Sequence, residues 1–408
     1  MKLERIEGGV CAPKGFKANG VHCGIRKNKK KKDFALIVAD KECACACVYT
    51  TNLVKGAPIL VTKKHVENGY AQAVVVNSGN ANTCNANGVE IAEGMCALVE
   101  RELKIKATDI VVASTGVIGQ TLSLEPMEKE ISSLVAGLGD TPAHNLAAAQ
   151  AIMTTDTVEK EIAYSFEIGG KVCKIGAICK GVGMLCPNMA TMLMFVTTDV
   201  NITPAMLQKA LNADIKDSLN MVSVDRDTST NDTLCVMASG FAGNKLIETA
   251  DVDYKKFCLA LHAVTREMCR KIAADGEGAT KLIECKVIGA KSKKVARTVA
   301  KSVVCSNLLK AAIFGADANW GRVLCAIGYS GADVDVEKID VTFTSLAGEL
   351  SVCKNGMGID FSEDHAKKVL SEKEIGILID LNTGNYSATG WGCDLTYEYV
   401  RINGDYRT

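Results

Sequence analysis

The sequence has 408 residues, of which 48% are apolar, and it balances 47 basic against 47 acidic side chains. This length exceeds the ~250–300 residues at which a single hydrophobic core stops growing, so it predicts a two-lobed molecule. Because the formal net charge is zero, no overall field attracts nucleic acid or an anionic membrane. We therefore expect neither of them among the partners of this protein.

The 18 cysteines stand singly on apolar stretches, without the small size or the spacing of a disulfide scaffold. This usage predicts reduced thiols and a cytoplasmic setting. The first ten residues, MKLERIEGGV, contain no apolar signal core, and no run of ~18 apolar residues follows them. We therefore expect a soluble cytoplasmic protein.

One group of cysteines, Cys43, Cys45 and Cys47, is a candidate metal site, because thiolates are good zinc ligands. Their alternation with Ala44 and Ala46 is instead typical of one face of a buried strand. We favour the strand and expect no metal ligand here.

The periodicity of the first half predicts mixed α and β structure. Short β-rich runs at 34–39, 58–62 and 73–76 precede a helical pattern over 89–103. Alternating apolar residues on both sides of Gly169-Gly170 predict a β-hairpin with a two-residue turn. The fold class that follows is α/β.

The second half contains one long amphipathic repeat over 254–272, which predicts a helix ending near Asp275-Gly276. Towards the C-terminus we predict a strand at 374–382, a glycine-rich break at 383–392 and a further strand at 394–402. No proline-rich linker or composition shift marks a domain boundary.

Common catalytic motifs are missing from the sequence, and its five histidines are scattered rather than grouped. The informative stretch is 180–199, where a loop containing Gly181, Gly183 and Pro187 runs into an apolar segment. Considered alone, Thr191 is one more β-branched residue at the start of a strand.

Several blocks nevertheless resemble a known family. The segment KGVGMLCPNMATML is similar to the signature of the ornithine acetyltransferases, also called glutamate N-acetyltransferases. Further blocks resemble the family in family order: GGVCAPKGFKANGV, VVVNSGNAN, ASTGVIGQ, AIMTTDT, SVDRDTSTNDT, DGEGATK and IFGADANWGR. The chain departs from the expected pattern at Cys186, Arg226 and Ala318, where alanine, glycine and proline are the expected residues.

The resemblance implies a two-lobed α/β architecture of layered sheets and helices, and a precursor that cuts itself between Ala190 and Thr191. Two chains would result, 1–190 and 191–408. The α-amine released on Thr191, with an ordinary pKa of ~7.7–8.0, would then activate the hydroxyl of the same residue as a nucleophile. No histidine is needed for this chemistry.

The resemblance also assigns roles to individual residues. Thr115 and Gly116 match the oxyanion hole of the family, although considered alone they suggest a turn after a strand at 110–113. The residues implied in substrate binding are Thr154, Lys180, Thr191, Glu277, Asn403 and Thr408.

The implied reaction transfers the acetyl group of N2-acetylornithine to L-glutamate through an ester on Thr191. No cofactor and no metal are implied, and acetyl-CoA stays open as a second donor. The implied assembly is a heterotetramer of two α and two β chains. Two alternatives remain: an autoprocessed aminopeptidase or amidase of similar fold, and a non-catalytic amino-acid sensor.

Overall fold

The computed structural model describes residues 1–184 and 192–405. The strands are β1 Glu4–Ile6, β2 Phe16–Val21, β3 Phe34–Tyr49, β4 Tyr70–Asn80, β5 Ile110–Val117, β6 Lys160–Ile168, β7 Lys171–Lys180, β8 Leu193–Thr198, β9 Val222–Ser223, β10 Thr233–Ala238, β11 Leu282–Ala290, β12 Asp340–Ser345, β13 Gly348–Lys354, β14 Met357–Gly358, β15 Glu374–Asp380 and β16 Tyr386–Cys393. The helices are α1 Ala57–His65, α2 Gly88–Leu103, α3 Glu125–Ala136, α4 Pro142–Ile152, α5 Pro204–Asp214, α6 Val252–Ala274, α7 Lys293–Val304, α8 Asn307–Phe314, α9 Trp320–Gly328, α10 Glu363–Leu370 and α11 Tyr397–Gly404.

The described residues form two compact α/β units. The first comprises 1–181, 192–215 and 228–268, and the second comprises 182–184, 216–227 and 269–405. This arrangement confirms the predicted fold class. These units reflect how the residues pack, and they do not show whether a peptide bond is cut. The division into chains 1–190 and 191–408 therefore stays a prediction.

The first unit is built on one sheet with strand order β1-β6-β7-β8-β10-β3-β4-β5, in which β2 also pairs with β3. Strands β8 and β10 run parallel in the middle of this sheet, and every residue of both is buried. Such strands are apolar throughout because both of their faces are covered. The first strand after the expected cut is therefore a central one.

Helices cover both faces of this sheet around β4. Val75 faces a cluster that includes Met95 of α2 and Met127 of α3, while Val74 and Val76 face a cluster that includes Ile152 of α4. Alternate residues of one strand thus supply two separate layers of core.

The second unit is built on the sheet β14-β13-β12-β15-β11-β16-β9. Helix α7 packs on β11 and β16. A Cβ atom at Gly390 would lie 3.2 Å from the carbonyl oxygen of Ala300 on that helix. Glycine in β16 therefore permits close packing of helix and strand.

Most of the periodic patterns are confirmed. The segment 89–103 forms α2, the repeat over 254–272 forms α6, and the run from 374 forms β15. Gly169 and Gly170, with φ of 55° and 74°, join β6 to β7 as a hairpin turn. The cysteines at 43, 45 and 47 share one buried face of β3, as the alternation predicts.

Three predicted elements are wrong. The run 58–62 lies in α1, because Pro58 near the helix start is compatible with a first helical turn. The glycine-rich break contains β16, whose small residues serve packing rather than a turn. The segment 394–402 contains α11 instead of a strand, and Glu398 and Arg401 form an i,i+3 ion pair along that helix.

None of the helices in the described part of the chain is both long enough and apolar enough to cross a lipid bilayer.

Candidate active site

Thr115 and Gly116 belong to β5, so the expected turn after residue 113 is wrong. The strand continues because β4 accompanies it in parallel as far as Asn80, with an irregular register at Gly79. Gly116 has a φ of 133°, and a Cβ atom there would lie 2.3 Å from the carbonyl carbon of Gly79. Only glycine fits this position without displacing β4.

Lys180 ends β7 and extends its ammonium group towards Thr115. Its Nζ donates to Thr115 Oγ1 over 3.4 Å, and both residues are buried. On the other side, the backbone of Lys180 pairs with Leu193 at the start of β8. The fold thus brings together two residues that lie 65 positions apart. Ala190 and Thr191 lie outside the described residues.

Asp156, which is buried in the first unit, interacts with the positive charges of Lys160 and Lys180. Its carboxylate accepts hydrogen bonds from Lys160 Nζ at 2.8 Å and from the amides of Thr154 and Gly181, both at 2.9 Å. Burial alone would raise the pKa of Asp156, but the cations of Lys180 and Lys160 outweigh it and hold the pKa well below the usual range. Asp156 therefore connects the segment of Thr154 with the end of β7.

A second buried acid, Asp232, lies just before β10. Its Oδ2 has no hydrogen-bond partner among the described residues. Burial raises the pKa of Asp232 well above its ordinary value, although the charge of Lys180 acts in the opposite direction. No role was predicted for Asp156 or Asp232, although both stand inside the family-like blocks AIMTTDT and SVDRDTSTNDT, whose resemblance is the signal that could have found them.

A buried polar network holds the backbone next to Thr115. Asn231 donates through Nδ2 to the carbonyl oxygens of Ala81 and Ser114, at 2.5 and 3.0 Å, and accepts at Oδ1 from Thr83 at 2.6 Å. Satisfied polar networks in a low-dielectric interior rigidify the groups they join. The end of β5 is therefore fixed in position.

The second unit joins two other predicted site residues. Asn403 Nδ2 donates to Glu277 Oε2 over 2.8 Å, and Glu277 is 8% exposed. The amide of Glu277 donates to the carbonyl of Val182 at 2.8 Å, and a Cβ atom at Gly183 would lie 2.3 Å from Oε2. The loop glycine thus leaves room for the carboxylate. Thr408 lies outside the described residues.

One departure from the family pattern has a structural consequence. Arg226 adopts a φ of 74°, in the left-handed region that favours glycine. An ordinary residue in this conformation costs roughly 1–2 kcal/mol, so the expected glycine suits the backbone better. The neighbouring Asp225 nevertheless keeps its contacts, accepting hydrogen bonds from the Met184 amide at 2.6 Å and the Tyr399 hydroxyl at 3.3 Å.

Comparison with known proteins identifies the relatives of this chain. The model of the ArgJ family matches residues 17–408. The chain belongs to the ArgJ family. It is 50% identical over 394 residues to arginine biosynthesis bifunctional protein ArgJ 1 of Clostridium acetobutylicum, covering 96% of each chain. Over 408 residues and all of both chains, it is 49% identical to the ArgJ protein of Caldanaerobacter subterraneus subsp. tengcongensis.

A solved structure with detectable likeness is an ornithine acetyltransferase of Mycobacterium tuberculosis in complex with ornithine. It is 32% identical, with a TM-score of 0.42, and the match covers 46% of this chain and 100% of that one. The family resemblance seen in the sequence is confirmed by the match to the ArgJ family. The roles of single residues in this ArgJ chain stay predictions.

Replacing Asp156 with asparagine is expected to destabilise the first unit strongly. The substitution would break the buried pair of Asp156 with Lys160 and remove the nearby negative charge that acts on Lys180, and breaking such a buried pair costs about 3–5 kcal/mol. Urea unfolding followed by circular dichroism at neutral pH measures this loss. The matched control is Glu125→Gln, which breaks an i,i+4 pair with Lys129 that is 69% exposed and should change nothing measurable.

The pH dependence of the same comparison has a definite sign. The lowered pKa of Asp156 stabilises the fold fully above the unfolded value of ~3.9, and this stabilisation is lost as the pH falls towards the lower folded pKa. The difference between wild type and Asp156→Asn should therefore shrink in acid. A difference that is small at neutral pH, or that grows in acid, would contradict the assignment.

Proposed function

We propose that this protein is an acyltransferase that moves the acetyl group of N2-acetylornithine to L-glutamate, producing ornithine and N-acetylglutamate for arginine biosynthesis. The observation that carries the proposal is the full-length relationship to proteins named for arginine biosynthesis, at 49% identity over all of both chains. The blocks that resemble ornithine acetyltransferases supply the reaction.

The proposed chemistry has two acyl-transfer steps. The α-amine of Thr191 takes the proton from Oγ of the same residue, and Oγ attacks the acetyl carbonyl of acetylornithine. The departing ornithine amine receives the proton, which leaves an acetyl ester on Thr191. The amine of glutamate then attacks this ester and regenerates the hydroxyl.

Both steps pass through an oxyanion, for which Thr115 and Gly116 are the proposed donors. Such a site is effective because water is excluded from it and because its hydrogen-bond donors are fixed in position. A lysine ammonium has only donor hydrogens, so Thr115 Oγ1 must accept in its contact with Lys180. The hydroxyl proton of Thr115 is thereby left to point towards developing negative charge.

Substrate binding is proposed for Thr154, Lys180, Thr191, Glu277, Asn403 and Thr408. A cation suits the α-carboxylate of an amino acid, and an anion suits an amine. Asp156 accepts hydrogen bonds from the amides of Thr154 and Gly181, and this supports a shared site for Thr154 and Lys180. The hydrogen bond from Asn403 to Glu277 supports a shared site for those two residues. An α2β2 heterotetramer in the cytoplasm is the proposed assembly and location.

A second activity is proposed because the relatives are named bifunctional proteins. Acetyl-CoA would acylate Thr191 in place of acetylornithine, and the ester would then pass to glutamate as before. The same nucleophile and oxyanion hole would serve both donors. CoA release in the presence of glutamate measures this activity alongside ornithine release.

A donor and acceptor assay tests the function. Purified protein given acetylornithine and glutamate should release ornithine and form N-acetylglutamate in equal amounts, and turnover should depend on glutamate. Ornithine release at the same rate without glutamate would identify an amidase instead. Saturable binding of either amino acid without turnover would identify a sensor.

Self-cleavage is the second expectation from this mechanism. Intact-mass measurement of the 43.3 kDa chain should show two fragments, the second beginning at Thr191, and Thr191→Ala should stay whole. Thr191→Ser, which keeps a hydroxyl, serves as the control and should still be cut. A single intact chain with full activity would rule out the mechanism.

Thr115 should act on the transition state rather than on bound substrate. Loss of one oxyanion donor typically lowers kcat by about 10² to 10³, with little change in KM, and this is the result expected for Thr115→Ala. Thr115→Ser should restore most of kcat because it keeps the hydroxyl. An unchanged kcat with a raised KM would show that Thr115 contributes only to ground-state binding.

A further inference from the structure

Three cysteine thiols meet inside the sheet of the first unit, and we refer to Cys45, Cys47 and Cys235 as the thiol group. Cys45 and Cys47 lie on one face of β3, and Cys235 on β10 is paired directly with Cys47. The three residues are 3%, 9% and 1% exposed. The sulfurs therefore share an enclosed space.

The distances between the sulfurs fit a common ligand. Cys45 Sγ lies 3.8 Å from Cys47 Sγ and 3.7 Å from Cys235 Sγ, and all three sulfurs are within 4.8 Å of one another. Thiolates held at ~2.3 Å from one metal ion lie ~3.8 Å apart in a tetrahedral site and ~4.0 Å apart in a planar three-coordinate site. The thiol group thus has the spacing of a coordination sphere before any ion enters.

We propose that the thiol group binds one monovalent copper ion. Soft thiolates select Cu(I) and zinc, but structural zinc sites use four protein ligands. Among the described residues, the group contains three histidine, cysteine or acidic ligands, which suits the lower coordination number that Cu(I) accepts. Thiol protons leave to solvent as the ion binds, and no electron transfer is involved.

A neighbouring hydroxyl supports this assignment. The Tyr49 hydroxyl is buried beside the thiol of Cys47. A phenol can donate to a metal-bound thiolate, and such outer contacts orient the ligands and tune the metal. Copper binding at Cys47 would thus turn the neighbouring thiol into a thiolate, which is a stronger acceptor for the buried Tyr49 hydroxyl.

The alternation at 43–47 favours a strand, and the expectation of no metal ligand there is revised by this proposal. Sequence spacing does not reveal the thiol group, because the third sulfur comes from a distant strand. Cys43, on the same face of β3, is not a member of the group, and its Sγ instead contacts the carbonyl of Lys41 at 3.2 Å. Cys235 becomes a neighbour only when β10 pairs with β3. Cys43 consequently provides a matched control.

The experiment uses the full chain in a background of Cys84→Ser and Cys325→Ser, which removes two exposed thiols. Protein purified without oxygen is equilibrated with Cu(I) buffered by bicinchoninate, or in parallel with Zn(II), then desalted and analysed for metal. We expect one copper per chain, an ultraviolet thiolate-to-copper absorption band, and no retained zinc. Cys45→Ser and Cys235→Ser should lose the copper, and Cys43→Ser should keep it.

Copper retained equally by Cys45→Ser, or zinc retained in its place, would overturn the proposal. Because serine in a buried strand can prevent folding, circular dichroism of each variant accompanies the metal analysis. X-ray absorption at the copper edge of the unsubstituted thiol group gives a test that needs no variant. Three sulfur neighbours are expected there, and a different number, or nitrogen and oxygen ligands, would contradict the site.

Discussion

The buried negative charge of Asp156 beside Lys160 and Lys180 is the constraint on which the candidate site of the first unit depends. Lys160 and Lys180 place ammonium groups in the interior, where an unpaired charge is strongly unfavourable. Asp156 forms an ion pair with Lys160, and its negative charge stabilises the ammonium group of Lys180. Its oxygens also accept hydrogen bonds from the amides of Thr154 and Gly181. The positions of these groups are therefore coupled through one carboxylate.

The proposed mechanism needs no catalytic histidine. In that mechanism, Lys180 donates to the oxygen of Thr115, so the Thr115 hydroxyl serves as a donor, and Gly116 is the second proposed donor, at a position where a side chain would collide with Gly79. A preorganised pair of donors of this kind contributes most when it needs no rearrangement during reaction. The Asn231 network, which fixes the end of β5, is consistent with that requirement.

Local periodicity predicted the elements whose signal is long or unambiguous, such as α6 and the Gly169-Gly170 hairpin. It failed for α1 and α11, because a short run fits both the helical period of 3.6 residues and the strand period of two. Tertiary packing then determines which structure forms. No role was predicted for Asp156 or Asp232, because the charge of Lys180, which acts on both, approaches them only in the folded chain. Thr191 as nucleophile came only from the family resemblance, since a threonine before a strand has no distinctive physical signal.

Trapping the acyl enzyme shows whether acetyl groups pass through Thr191. Protein is mixed with acetylornithine without glutamate, quenched in acid after short times, and mapped by peptide mass spectrometry. One acetyl group is expected on the peptide that begins at Thr191, removable by hydroxylamine as an ester and discharged by added glutamate. Glutamate-dependent turnover with no acetyl group on that peptide at any time, or with the group on another residue, would contradict it.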